Sequence, residues 1–209
     1  GLPEKAGPTD VWPDGKVDLS LRYRAPHSTL EDLQQQVLFN VDEWCRRYEN
    51  RIKELGGIGF FLGGVGPDGH IGFNVRGSDH HSTTRLTATN YETQAAAATD
   101  LGGMQIARDC RVITIGLGTI TYNPECVAII MAAGHAKAPM VADAVQQDKD
   151  VRYPATSLHE LPGARFFVTH GAARRLEERH FERISCADEI SDEEVEKVLI
   201  DLSVRENKR

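Results

Sequence analysis

The sequence predicts an α/β fold, a doubly wound, mainly parallel sheet with helices on both faces, and three observations lead there. Short continuous apolar runs recur along the chain, segments of helical length separate them, and the first run opens into a glycine-rich loop. The runs are 58–62, 111–116, 126–131 and 165–169. Strands buried on both faces read as unbroken apolar stretches because neither side of the pleat meets water. Parallel neighbours need a crossover connection, and the intervening helices supply it.

Residues 1–27 are rich in Gly, Pro, Asp and charge, so an irregular leading segment is expected there, contributing little core. Within it only 17–23 alternates as a strand would. A single α/β domain is expected over 28–209. It starts with Ser28, whose hydroxyl caps a helix while Glu31 reaches back, and Gly56-Gly57 ends that helix after Glu54. Leu33, Val37, Val41, Trp44 and Tyr48 recur at helical spacing and predict its buried stripe. Further helices are expected over 92–99, over 136–147 after Gly134, over 171–183, and over 191–202, where acidic residues open the segment and basic ones close it.

Composition excludes several classes. The chain has 24 basic and 31 acidic residues, a net charge of -7, and no basic run that could track a phosphate backbone, so nucleic acid is not an expected partner. No stretch reaches the roughly 18 to 20 apolar residues of a membrane helix, and the first residues carry prolines and charges instead of a signal-peptide core. Cys45, Cys110, Cys126 and Cys186 are widely spaced, which fits a reducing cytoplasmic location. His80 and His81 are adjacent, a spacing that does not aim both imidazoles at one metal.

The chemistry concentrates in Gly63-Gly64-Val65-Gly66-Pro67-Asp68-Gly69-His70-Ile71-Gly72-Phe73-Asn74. Open parallel sheets bind ligands at the carboxyl edge, where loops present unpaired amides. The glycines let the backbone approach a ligand, and Asp68 and His70 put a carboxylate and an imidazole on one tight turn. A carboxylate fixes the tautomer of a neighbouring imidazole and raises its basicity, so the pair suits proton transfer near neutral pH.

This segment resembles the signature Gly-x-Gly-x-Asp-Gly-His-Ile-x-Phe-Asn of glucosamine-6-phosphate deaminases. Downstream, Ser82-Thr83-Thr84-Arg85-Leu86 is similar to the family's Ser-Arg-Thr-Arg, 114–120 to its Thr-Val-Gly-Val-Gly-Thr, and 134–138 to its Gly-x-x-Lys-Ala. The resemblance spans about residues 40–180. It implies a Rossmann-like fold, isomerisation of an aminohexose phosphate to its ketose with loss of ammonia, and no metal or organic cofactor. It also implies that His70, oriented by Asp68, moves the ring-oxygen proton. Gly64, Val65, Gly66 and Lys137 would bind the sugar phosphate, and Ser78 and Arg85 would fall at an allosteric phosphate position.

Three departures bear on activity. The family's motif continues into a glutamate, where this chain has Val75. The arginine expected on the alanine-rich helix is Thr99, with Arg108 the nearest downstream replacement. The family's phosphate loop, and the Asp-Glu pair whose aspartate removes the C2 proton, have no match; Asp42-Glu43 mimics that pair inside the long helix, where Asp42 reads as a surface carboxylate. The chain is therefore expected to match the C-terminal two-thirds of the family domain without its N-terminal strands. A sheet so shortened leaves an edge and an apolar face uncovered, and a homo-oligomer, a longer chain or the leading segment would cover them. Two other readings stand beside the deaminase: a non-catalytic sugar-phosphate sensor or scaffold, and a 6-phosphogluconolactonase-like hydrolase, against which Ile71-Gly72-Phe73-Asn74 argues.

Overall fold

A computed structural model of the chain describes residues 7–101, 103–176, 184–186 and 189–205. Strands β1 (Phe60–Gly64), β4 (Val127–Ala132) and β5 (Arg165–Val168) form a parallel sheet in the order β1-β4-β5, flanked by helices. This is the expected α/β, Rossmann-like architecture. Its register pairs Phe60 with Val127 and Ile130 with Phe166.

The run 111–116 departs from expectation. Its strand β3 (Arg111–Thr114) stands outside the parallel sheet and pairs antiparallel with β2 (Arg85–Ala88), Arg85 opposite Thr114 and Ala88 opposite Arg111. Helices α3 (Tyr91–Leu101) and α4 (Met104–Asp109) connect the two and pack on each other, returning the chain to β2. The four-residue β2 carries no continuous apolar run, so periodicity does not reveal it.

Helix α2 (Thr29–Glu54) starts and stops where the sequence places it. Ser28 Oγ accepts the amide of Glu31 at 3.1 Å, while Glu31 reaches past Ser28 to the amide of His27. At the other end Gly56 and Gly57 take φ of 90° and 88° and donate to Lys53 O and Ile52 O, a closing turn that favours glycine. The buried stripe is rotated from the predicted one. Val37, Leu38, Cys45 and Glu49 are buried, whereas Trp44 and Tyr48 stack on each other at 5.4 Å on the outside. Glu49 is the reason: its Oε2 accepts from the Thr84 amide, Thr84 Oγ1 and Thr119 Oγ1, and so draws that face inward.

The leading segment also differs from expectation. It forms a short helix α1 (Pro8–Val11) and a 3-10 turn (Leu19–Arg22) in place of the strand over 17–23. Val11, Trp12 and Leu21 pack with Val37 and Leu38 into a core of their own. Arg22 clamps this layer, donating to both oxygens of Asp42 at 2.8 and 2.5 Å and to Leu86 O.

The main core lies on one face of the sheet. Ala128, Ile130 and Ala132 of β4 meet Leu117 and Ile120 of α5 (Leu117–Thr121), Val141 and Ala144 of α6 (Ala138–Gln146), and Leu158 of the 3-10 helix Pro154–Glu160. The opposite face leaves Phe60, Leu62, Val127, Met131 and Phe167 exposed, so helix cover on both faces is not completed by the described residues. Residues 171–175 of the predicted 171–183 helix are turns, and 177–183 lie outside the described residues. The last helix is α7 (Asp192–Arg205). Among the described residues no helix is long and apolar enough to cross a membrane.

Leu21 is 0% exposed. Leu21→Ala should lower unfolding free energy by about 2–5 kcal/mol, the range for core leucine truncation. A denaturant titration showing less than about 0.5 kcal/mol would mean that the leading segment is not part of the cooperative fold.

Candidate functional site

The loop leaving β1 is folded around one side chain. Gly66 donates its amide to His70 O at 2.9 Å and Gly69 donates to Gly66 O at 3.1 Å, closing a turn in which Gly69 has φ of 83°. The His70 ring lies directly on Gly66: a Cβ there would stand 2.0 Å from His70 Cε1. Gly66 is thus a steric requirement, and its amide is spent on the turn, not offered to a ligand. Phe73 lies roughly parallel to the imidazole, ring centroids 6.2 Å apart.

His70 Nδ1 meets Asp68 Oδ1 at 2.5 Å. Asp68 is buried, and its other oxygen accepts the Arg76 amide at 3.2 Å and Asn90 Nδ2 at 2.6 Å. Burial pushes this carboxyl up, but bonds from His70, the Arg76 amide and Asn90 outweigh it and hold it well below the usual carboxylate range. An ionised Asp68 directs the Nδ1 proton toward itself and leaves Nε2 for other partners.

Lys137 arrives from the carboxyl end of β4, on the 3-10 turn His135–Lys137 that precedes α6. Its Nζ donates to Val65 O at 2.7 Å, which brings the ammonium to the β1 loop and leaves two of its three donors unspent on that bond. Burial lowers its pKa and the charge of Asp68 partly restores it. Val65 is buried and Gly64 is exposed at the end of β1. The structure brings Gly64, Val65, Gly66, Asp68, His70 and Lys137 to one edge of the sheet. Thr99 and Arg108 are exposed on α3 and α4.

Ser78 and Arg85 form a second place. Arg85 Nη2 donates to Ser78 Oγ at 3.3 Å and Nη1 to Asn74 Oδ1 at 2.9 Å, and both residues line an open cleft of about 610 Å³ with Arg76, Asp79, His81 and Thr87. Burial lowers the guanidinium pKa, against the opposing charge of Asp79. Asn74, 0% exposed, ties the two places together by donating to Ile71 O and Ile115 O while accepting from Arg85. His80 is buried, and Asp42 is engaged by Arg22.

Sequence reasoning missed Asn90 and Thr93. Thr93 Oγ1 lies 3.3 Å from His70 Nδ1, and Asn90 Oδ1 accepts the Thr93 amide at 3.0 Å. An asparagine just ahead of a helical segment signals a cap, but not contact with a carboxylate 22 positions earlier.

The fold and this edge define an α/β, Rossmann-like protein with an acid–imidazole couple and a lysine at the carboxyl end of its parallel sheet. Comparison narrows the class. The chain is 39% identical over 103 residues to the glucosamine-6-phosphate deaminase of Yersinia enterocolitica, covering 49% of this chain and 39% of that protein. It is 39% identical over 107 residues to that of Yersinia pestis, covering 51% of this chain and 40% of the relative. Among solved structures it is similar to a monomeric glucosamine-6-phosphate deaminase described as a missing link of the NagB superfamily, with 28% identity and a TM-score of 0.58, over 64% of this chain and 54% of that one. No protein-family model matches. The chain is thus similar to glucosamine-6-phosphate deaminases over about half of its own length, and it spans about two fifths of the length of the curated relatives it matches.

Gly66→Ala should expel the imidazole from its seat at a stability cost of about 1–3 kcal/mol, visible as loss of the Asp68–His70 hydrogen-bonded proton in NMR spectra. An unaltered proton resonance would refute the seating. Because the Asp68 pKa is lowered by folding, its contribution to stability is complete above the unfolded value near 4 and is lost as pH falls below it. The stability gap between the parent chain and Asp68→Asn should accordingly narrow on acidification from about pH 5 downward; a gap that widens would contradict the direction of the shift.

Proposed function

We propose that this chain carries the ring-opening half of a glucosamine-6-phosphate deaminase-like reaction, in which an aminohexose phosphate becomes a ketose and ammonia is released. The observation that carries the reading is the Asp68–His70 couple on the β1 loop, seated on Gly66 and close to Lys137. The deaminases that the chain resembles in sequence and fold support it.

In this reading the Lys137 ammonium meets the substrate phosphate, as a point charge suits a dianion. His70 Nε2 takes the proton of the anomeric hydroxyl and delivers it to the ring oxygen as the bond from C1 to that oxygen breaks, while the Nδ1 proton stays on the imidazole and is held by the ionised Asp68, so the hemiacetal opens to the aldehyde with no net gain or loss of protons. Ser78 and Arg85 would hold a second sugar phosphate in the cleft they line. Isomerisation also requires removal of the C2 proton. No group of the couple is free for that, so a second copy or a longer form of the protein supplies the base, and the 209 residues alone turn over little. The same partner would cover Phe60, Leu62, Val127, Met131 and Phe167.

Val75 favours a second reading, a sugar-phosphate sensor without turnover, because an apolar side chain stands half-buried beside the turn where the resemblance calls for a carboxylate. Ammonia release from glucosamine 6-phosphate, measured on this chain and on any longer natural form, separates the two. Release that falls at least 10²-fold in His70→Gln is the expected result for a proton-transferring imidazole. An unchanged rate would remove His70 from the mechanism, and binding without release would leave the sensor.

A further inference from the structure

We infer that Asn90 is a positioning residue for the Asp68–His70 couple, setting the imidazole tautomer from the position just ahead of α3. Three hydrogen bonds converge on this one side chain and its backbone. Asn90 Nδ2 donates to Asp68 Oδ2 at 2.6 Å, Asn90 Oδ1 accepts the Thr93 amide at 3.0 Å, and Asn90 O accepts the Gln94 amide at 2.9 Å. The amide orientation follows from its partners. A backbone N–H can only donate and an ionised carboxylate can only accept, so the oxygen faces Thr93 and the nitrogen faces Asp68. The residue is therefore a helix cap and a carboxylate clamp at once.

Its effect on His70 follows from counting donors. Asp68 Oδ2 receives two N–H groups, from Asn90 and from the Arg76 amide at 3.2 Å, and donors so placed favour the ionised carboxylate, which can only accept at Oδ1 as well. The proton in the 2.5 Å contact between Asp68 Oδ1 and His70 Nδ1 then comes from the imidazole. That selects the Nδ1–H form, with the Nε2 lone pair free. Removing the Asn90 donor leaves Oδ2 with only the longer Arg76 bond, the carboxylate is free to rotate or to take up a proton, and the selection weakens. Thr93, 5% exposed, places its hydroxyl 3.3 Å from the same Nδ1, so a shift of the α3 start would disturb the couple twice.

Asn90→Ser separates the two duties of the side chain. Serine keeps a capping oxygen for the helix but is too short to reach Asp68. Asn90→Asp also keeps the cap, and it turns the donor into a second carboxylate facing Asp68. Long-range proton–nitrogen NMR spectra of the full chain, with the His70 ring assigned by its absence in His70→Gln, report the tautomer directly. The expected result is a Nδ1–H pattern in the parent chain and a change of about tenfold in the tautomer ratio in Asn90→Ser, with a larger change in Asn90→Asp, the scale of a lost bond to a charged acceptor. Ring nitrogens unchanged in both variants, with helix content retained by circular dichroism, would overturn the assignment.

The kinetic consequence rests on the deaminase reading. In whichever form releases ammonia, Asn90→Ser should lower kcat about tenfold with KM unchanged. Should no form release ammonia while the tautomer still shifts, the deaminase reading fails and the positioning role stands. Should ammonia release depend on His70 while the tautomer ignores Asn90, the positioning role fails alone.

Discussion

The structure of the β1 loop depends on a close approach: the His70 imidazole occupies the space where any side chain at position 66 would begin. Everything nearby serves that contact. The Gly66 amide donates to His70 O and closes the turn, Phe73 stacks near the ring, and Asp68 holds Nδ1 from a buried position with three donors around it. A buried carboxylate is costly to leave unpaired, so the donor set and the carboxylate stabilise each other and neither tolerates the loss of its partner. The ring is thereby fixed in place and in tautomer before any ligand arrives, which is the condition for efficient proton transfer.

A second set of buried polar groups joins this loop to the rest of the chain. Asn74 spans the β1 loop and the end of β3 through Ile71 O and Ile115 O, and its own oxygen takes Arg85 from β2. Glu49 does the same from α2, gathering Thr84 and Thr119. Gly116 and Gly118 let that layer close, since a Cβ at 116 would stand 2.0 Å from Ser82 O. These contacts connect elements that the two sheets alone would leave apart, so the antiparallel pair β2–β3 is joined to the rest of the chain by polar links.

The uncovered sheet face stands in contrast. Phe60, Leu62, Val127, Met131 and Phe167 lie together by the strand register and remain exposed, while the other face of the same strands is packed. An apolar patch of this kind is what an interaction surface looks like, and its place on the sheet that carries the candidate site links partner binding to completion of the chemistry in the proposed function.

The Asp68-Gly-His70 turn, the cap and stop of α2 and the strands of the parallel sheet were legible in the sequence because each depends on residues adjacent in the chain: a glycine at positive φ, a hydroxyl before a helix, an unbroken apolar run. The buried stripe of α2, the pairing of β3 with β2, the core made by Val11, Trp12 and Leu21, and the grip of Asn90 on Asp68 were not. Each is settled by a partner far along the chain, Glu49 by Thr84 and Thr119, Asp68 by Asn90, and local pattern carries no record of distant partners. By itself the sequence determined the turn that places a carboxylate beside an imidazole. Only the tertiary structure decided how that couple is held, because the donors that orient Asp68 meet it through folding and not through spacing.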